Sequence, residues 1–429
     1  MNRLEELSEA LIRGRKLYED ALVCDDTETF HVSEIYGSSV EPADRIAAGD
    51  NFEYMIHLIK NKDMSGCIQL IYVDPPFFSK GKYQASIRLE SEKLGVSKLI
   101  KTGAYDDWSD SELQDYLTML AAGLNAMKEL LADTGSICVH IDWHVSHYVR
   151  LMLDSIFGEK NFINEIIWTY KSGGTGRRSF AKKHDTLFLY GKTGRYVFNG
   201  LKEKSYNRDF KPYRFKGVEE FCDEIGWYTM VNMKDVWNID MVGRTSAERT
   251  GYATQKPEKL MERVIAACSN KGDLCADFFA GSGSFGAACD RMDRNWIMCD
   301  KGNVASASQI LRLAECGAQF SVERIPGCRA GDHLKCLIDG SSVELAGYDI
   351  DEKNIQCSDK EEVIKYMHDD QLNLIRFWSA DLDHDGRIHR AEKIQTGHIR
   401  RIVNAEKIRT GHISIIAYDV FGKGAKCRL

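Results

Sequence analysis

Nowhere in its 429 residues does the chain hold a run of eighteen apolar residues, so no segment reads as a helix able to cross a bilayer. The opening residues, Met1-Asn2-Arg3-Leu4-Glu5-Glu6, lack the cationic and apolar blocks of a signal peptide. A cytoplasmic protein with no membrane partner is expected. Cys-x-x-Cys spacing is missing among the thirteen cysteines, an odd number; this argues against a zinc centre or a disulfide framework and for reduced thiols. Excess positive charge is lacking as well. The formal net charge is −7, which as a whole-chain figure speaks against a nucleic-acid partner. What is present is 43% hydrophobic content, enough at this length for a large core and two or three domains.

The charge is uneven. Between residues 171 and 216 thirteen Lys/Arg face three acids, a local charge of +10 that leaves −17 for the remainder. Lys171, Arg177, Arg178, Lys182, Lys183, Lys211 and Arg214 belong to this stretch, and Phe180, Tyr190, Tyr206, Phe210, Tyr213 and Phe215 are interleaved with it. Cations track phosphates and aromatic rings pack bases, so the stretch is a candidate nucleic-acid surface, although a charge run by itself is more often a solvated face. Lys171-Ser172-Gly173-Gly174-Thr175-Gly176-Arg177-Arg178 reads as a glycine loop that orders on its partner.

Two short strings carry chemistry. Ile68-Gln69-Leu70-Ile71-Tyr72-Val73 is an apolar run that stops at Asp74-Pro75-Pro76-Phe77. It reads as a buried parallel strand ended by two residues that fix φ and lack an amide donor. A carboxylate and a carbonyl then stand at the strand's carboxyl edge, where open α/β sheets bind ligands. Together they can accept both hydrogens of an amino group and localise its lone pair, and Phe77 could stack on a flat ring. The second string runs from Leu274-Cys275-Ala276-Asp277 through Phe278-Phe279-Ala280-Gly281-Ser282-Gly283 to Gly286. It is a strand, an acid and a glycine turn that lets backbone approach a ligand. Trp296-Ile297-Met298-Cys299-Asp300 supplies a second acid at the spacing of one that grips ribose hydroxyls. A dinucleotide site has the same geometry and stays open on these residues alone.

Asp74-Pro75-Pro76-Phe77 resembles motif IV of the DNA amino-methyltransferases, and Asp277 to Gly283 resembles methyltransferase motif I more than a dehydrogenase fingerprint. The catalytic string precedes the cofactor string by about two hundred residues, and Thr254-Gln255-Lys256-Pro257-Glu258-Lys259-Leu260 lies just before the latter. This order resembles the β class of that family. Further matches are Ala48-Gly49-Asp50-Asn51-Phe52, Trp108 with the helix from Leu113, Gly135 to Asp142, and Asn161 to Trp168. Together they span most of residues 45 to 320.

The resemblance implies a Rossmann-like doubly wound α/β core dependent on S-adenosylmethionine. Its target would be N6 of an adenine in double-stranded DNA, rotated out of the duplex and methylated by direct in-line transfer. Asp74, Pro75, Pro76 and Phe77 would form the catalytic group. Asp50, Asn51, Gln255, Lys256, Pro257, Asp277, Phe278, Ala280, Gly281, Ser282, Gly283 and Asp300 would hold the cofactor, with Asp277 at its methionine end, Asp300 at its ribose, and the glycines giving clearance. No metal is implied. N4 of cytosine is the nearest alternative target; RNA fits the long basic insert less well, a DNA-binding protein that has lost catalysis fits the intact motifs less well, and a calcium-responsive interaction protein is the remaining alternative. Partners would be DNA, a second copy of the chain and a cognate restriction endonuclease.

The implied organisation is an N-terminal helical segment (1–44, helix Leu4 to Leu22), a catalytic half (45–169), a target-recognition insert (170–250), a cofactor half (251–325) and a β-rich appended extension (326–429). In the extension Asp381-x-Asp383-x-Asp385-Gly386-x5-Glu392 satisfies the calcium-loop pattern. Gly397 and the β-branched Ile394, Thr396 and Ile399 make a poor exiting helix, so an acidic turn between strands is expected instead of a calcium site. Residues 391–399 recur almost unchanged as 405–413. Two copies are too few for a solenoid and read as a duplication tolerated in a surface loop.

Overall fold

Six parallel strands form the centre of an eleven-stranded sheet. From edge to edge the order is Val236–Asn238, Phe162–Thr169, His184–Gly191, Leu131–Ile141, Ile68–Val73, Leu274–Asp277, Asn295–Asp300, Asp44–Ala48, Phe320–Arg324, His31–Tyr36 and His389–Ala391. The block from Leu131–Ile141 to Phe320–Arg324 is parallel throughout, and His184–Gly191 and His31–Tyr36 pair antiparallel against its two sides. The computed structural model describes every residue except 1–2, 26–28, 92–94, 109–111, 173–176, 327–332, 340–341, 356, 397–398 and 403–411.

Ile68–Val73 is buried at every position because helices cover both faces, as a continuous apolar run requires. Leu70 and Tyr72 point into a core shared with the helices Glu258–Cys268, Ser284–Arg291 and Asn303–Glu315. Ile68, Ile71 and Val73 join the core built on Asn51–Lys62 and Leu113–Leu130. The N-terminal helix Arg3–Val23 lies on Leu113–Leu130, so closely that a Cβ on Gly14 would come 2.5 Å from Ala121 Cβ. Among the described residues no helix is long and apolar enough to cross a membrane.

The two motif strands are neighbours, with Leu70 opposite Cys275, Ile71 opposite Ala276 and Tyr72 opposite Asp277. After Val73 the next core strand, Leu131–Ile141, is placed to one side; after Asp277 the next, Asn295–Asp300, is placed to the other. Loops that diverge in this way open a crevice at the carboxyl ends of the two strands.

Two expectations need correction. The interval 170–250 is not a single insertion, because His184–Gly191 and Val236–Asn238 are strands of the main sheet. Basic residues on either side of the buried Leu187 to Tyr190 run concealed it in the charge count. What stands outside the main sheet is a small one made of Lys202–Tyr206, Phe221–Cys222 and Trp227–Asn232. The extension is β-rich but not a separate module. One of its strands, His389–Ala391, closes the main sheet beside His31–Tyr36. Its helix Lys360–Asp369 and its sheets share a core with a hairpin, Lys82–Ser91 and Val96–Asp106, which the sequence reading passed over. The first duplicated copy contains a strand, Lys393–Thr396, paired with Ile375–Asp381. Most of the second copy lies outside the described residues.

The acidic turn joins strands. Asp381 is 2% exposed, accepting from Arg390 N at 3.0 Å and facing His384 Nδ1 at 2.9 Å. A strand follows Glu392 where a calcium hand needs a helix.

Candidate active site

Asp74 stands one residue beyond its strand, at the mouth of the crevice. Its Oδ2 is ion-paired with Lys256 Nζ. Its Oδ1 is buried and receives no hydrogen bond among the described residues; His140 Nδ1 lies 3.7 Å away, too far for one. A buried acceptor left open is costly unless a ligand fills it.

Side chains from neighbouring strands form a hydrogen-bonded network behind this carboxylate. His140, fully buried, has Nδ1 2.7 Å from the Tyr72 hydroxyl and Nε2 3.2 Å from Asp185 Oδ2. Asp185 also accepts from the Tyr170 hydroxyl at 3.1 Å. Burial alone would raise the Asp185 carboxyl, but the His140 hydrogen bond and the nearby positive charges of His140 and Lys256 bring it below the ordinary range. Phe77 is half-buried, its ring 5.7 Å from that of His140 and 5.2 Å from Lys256 Nζ. The next turn is held by Asp107, which accepts from the amides of Phe78 at 2.8 Å and Ser79 at 2.7 Å. Phe78 (φ +57°) and Lys80 (φ +63°) take up the left-handed backbone there, a conformation side chains disfavour.

The glycine turn forms the opposite wall. Gly283 N donates to Ala280 O at 2.8 Å, and Asp300 fastens the turn from below, Oδ2 accepting from Gly281 N at 2.9 Å and Oδ1 from Gly302 N at 2.7 Å. Asp277 is 3% exposed and accepts from Phe279 N at 2.9 Å. Burial pushes its carboxyl well above the usual carboxylate range, and the negative Asp74 and Asp300 add to that. Asn51 Nδ2 donates to Phe278 O at 2.9 Å, and Asp50 caps the helix that Asn51 begins.

One cavity of about 560 Å³ joins the two walls. Asp50, Asn51, the whole of Asp74 to Phe77, Gln255, Lys256, Asp277, Phe278, Ala280, Gly281, Ser282 and Asp300 line it. Pro257 and Gly283 do not. Pro257 caps the helix Glu258–Cys268, and a Cβ on Gly283 would meet Gln309 Cγ at 3.1 Å, so its clearance is for that helix side chain. Gln255 spends its amide on its own loop, bonding Thr250 N at 2.9 Å and Glu248 O at 2.6 Å. Lys256, expected at the cofactor, instead pairs with Asp74.

His140, Asp185, Tyr170 and Asp107 were not singled out from sequence. A histidine and an acid inside otherwise apolar strands were the available signal for the first two. The hairpin adds Tyr83 and Tyr105, stacked at 4.8 Å, as a cover over the cavity. Seven aspartates and two lysines line the cavity together with ten aromatic side chains, which suits a cationic and flat ligand.

The expected nucleic-acid residues lie outside the cavity. Lys171, Arg177, Arg178, Lys182, Lys211 and Arg214 are exposed and Lys183 is half-buried; residues 173–176 of the glycine loop lie outside the described residues. The segment from Lys171 to Lys183 begins and ends beside Tyr170 and Asp185, which line the cavity. Lys182 Nζ sits 3.4 Å from the centre of the exposed Trp143 ring, and Lys171 pairs with Asp240 at 3.3 Å.

Residues 68–309 match the family model described as DNA methylase. Over 306 residues the chain is 27% identical to the Type II methyltransferase M.EcaI of Enterobacter cloacae, covering 57% of this chain and 64% of that enzyme, less than two thirds of its length. It is 26% identical over 245 residues to M.HpaI of Haemophilus parainfluenzae, covering 57% and 67%. Among solved structures, the M1.HpyAVI–SAM complex aligns with 63% of this chain and 98% of its own at 17% identity and a TM-score of 0.41. The cytosine-N4-specific PvuII DNA methyltransferase aligns with 66% and 90% at 13% identity and a TM-score of 0.42.

Proposed function

The chain belongs to the N6/N4 DNA methylase family, and from that membership we propose that it transfers the methyl group of S-adenosylmethionine to N6 of an adenine flipped out of double-stranded DNA. The observation that carries this reading is the open Oδ1 of Asp74, buried in the cavity that residues 280–282 of the glycine turn also line. An exocyclic amino group is a poor nucleophile until its hydrogens are accepted by groups that localise the lone pair. Asp74 Oδ1 accepts one hydrogen and the Pro75 carbonyl the other, while the Lys256 ion pair on Oδ2 fixes which way the carboxylate is turned. Phe77 stacks on the extruded ring.

The residues present fit the donor. Asp300 and Asn51 take its ribose and adenine side, Asp277 its cationic methionine end, and Gly281 (φ +49°) leaves backbone room for it. Bound there, it supplies an electrophilic methyl group on a sulfonium. The surrounding aromatic rings exclude water, and Asp74 takes up the proton released from the amino nitrogen.

Expression in a methylation-free host followed by modification-sensitive genome sequencing tests the reading. N6-methyladenine in one recurrent sequence is the expected result. N4-methylcytosine would overturn the choice of base, and an unmodified genome would overturn the activity.

Asp277 makes the donor's affinity depend on pH. Its raised carboxyl takes up a proton more readily than an ordinary aspartate, whereas a cationic ligand favours the ionised form. Affinity is therefore full above the raised pKa and falls as pH drops through it. Calorimetric titration with S-adenosylmethionine over a pH series should show affinity weakening as pH falls, together with proton release on binding, and Asp277→Asn should flatten both.

A further inference from the structure

A second cavity, about 860 Å³, meets the hairpin at Ser86 to Glu90, Leu99 and Lys101, whereas the active site meets it at Tyr83 and Ala104 to Asp106. Its walls are the hairpin, the segment from Arg244 to Gly251, and the extension from Leu372 to Arg400. Arg88, Lys101, Arg244, Arg249, Arg376 and Arg400 line it against one acid, Glu90. Arg400 is engaged by Asp370 at 2.5 Å. Arg376 bonds Ser308 Oγ at 2.9 Å, and burial lowers its guanidinium to about 10. Arg244 and Arg249 are exposed and have no ion-pair partner among the described residues. Five hydroxyl side chains and no aromatic ring complete the lining. Guanidinium and hydroxyl donors match phosphate oxygens, and without an aromatic ring the lining gives a base nothing to stack on.

The two cavities share walls. Gly251 lines this one and Thr254 the active site, and Gly251 O accepts from Ser86 N of the hairpin at 2.8 Å.

We propose that this cleft is a second DNA contact, seating the phosphodiester backbone to one side of the extruded base and making the C-terminal extension part of the DNA-binding surface. The assignment rests on the DNA-methylation reading above. Such a contact is sequence-neutral and adds to the salt dependence of binding.

Arg244→Ala/Arg249→Ala tests it, since both side chains are exposed and unpaired. With a long duplex, the slope of log affinity against log salt should flatten by about 1.8, from two lost phosphate contacts, equally for target and non-target sequences. S-adenosylmethionine titration and thermal unfolding should be unchanged. Arg244→Lys/Arg249→Lys should restore the slope. On a duplex trimmed to the target and its immediate neighbours, variant and wild type should bind alike. An unchanged slope while the wild type binds the long duplex overturns the cleft alone, as does a defect that persists on the trimmed duplex. Failure of the wild type to bind any duplex overturns the cleft and the DNA reading together.

Discussion

Asp74→Ala is expected to lower methyl transfer by about 10³-fold or more, the scale for losing a group aimed at charge that develops in the transition state, while leaving S-adenosylmethionine affinity nearly unchanged. The separation follows from the geometry. Asp74 bonds neither Asp300, Asp277 nor the glycine turn; its contacts are Lys256 and, at longer range, His140. Removing the carboxylate leaves the amino group with the Pro75 carbonyl as its one acceptor, so the nitrogen lone pair stays in the ring. It also frees Lys256, whose ammonium would then face the substrate amino group as a donor with nothing to donate to. Single-turnover methylation of a duplex carrying the target, read beside calorimetry for the donor, measures both halves. Full activity in the variant would refute the role of Asp74, and loss of donor binding would place that side chain at the cofactor.

Both walls of the site were legible in the sequence because each is a local device. An apolar strand ended by two prolines, and a strand running into a glycine turn, are written within about ten consecutive residues. That the walls meet also followed from the sequence, once their order implied a doubly wound sheet. Asp107, His140 and Asp185 were not legible. Asp107 acts on amides 28 and 29 positions away, and His140 reaches Asp185 across 45; no short-range pattern encodes such pairings. The hairpin is an intermediate case. Ala85, Ile87 and Leu89 alternate as a half-buried strand should, but what they pack on lies in the extension, beyond Leu334. Lys101 N, for instance, donates to Asp359 Oδ2 at 2.7 Å. The character of the tail was readable from composition, whereas its attachment depended on partners hundreds of residues away.

That attachment has a measurable consequence at the seam between the main sheet and the extension. Glu34, 2% exposed, accepts from the Tyr36 hydroxyl at 2.8 Å and the Tyr418 hydroxyl at 2.5 Å. Arg324 Nη2 donates to Tyr418 Oη at 2.7 Å and to Glu34 Oε1 at 3.4 Å. Glu34 and Arg324 belong to neighbouring strands of the main sheet, while Tyr418 belongs to the extension and stacks on Phe377 at 4.8 Å. The carboxylate is the buried partner and depends on the guanidinium for its counter-charge. Arg324→Ala therefore strands a charge that two phenolic donors alone must support. Removing one partner of a fully enclosed pair costs about 3–5 kcal/mol. Because the Arg324 side chain is itself 20% exposed, water can approach the vacated position, and a loss of about 2 kcal/mol is expected. Arg324→Lys keeps the charge but not the fork that reaches Tyr418 and Glu34 together, and should lose about half as much. Urea unfolding followed by tryptophan fluorescence checks this, because Trp378 is buried in the extension and Trp296 in the main sheet. With the extension integral to the fold, both report one transition that shifts as a unit. Two transitions, with only the extension's displaced in Arg324→Ala, would instead show that it folds on its own and docks.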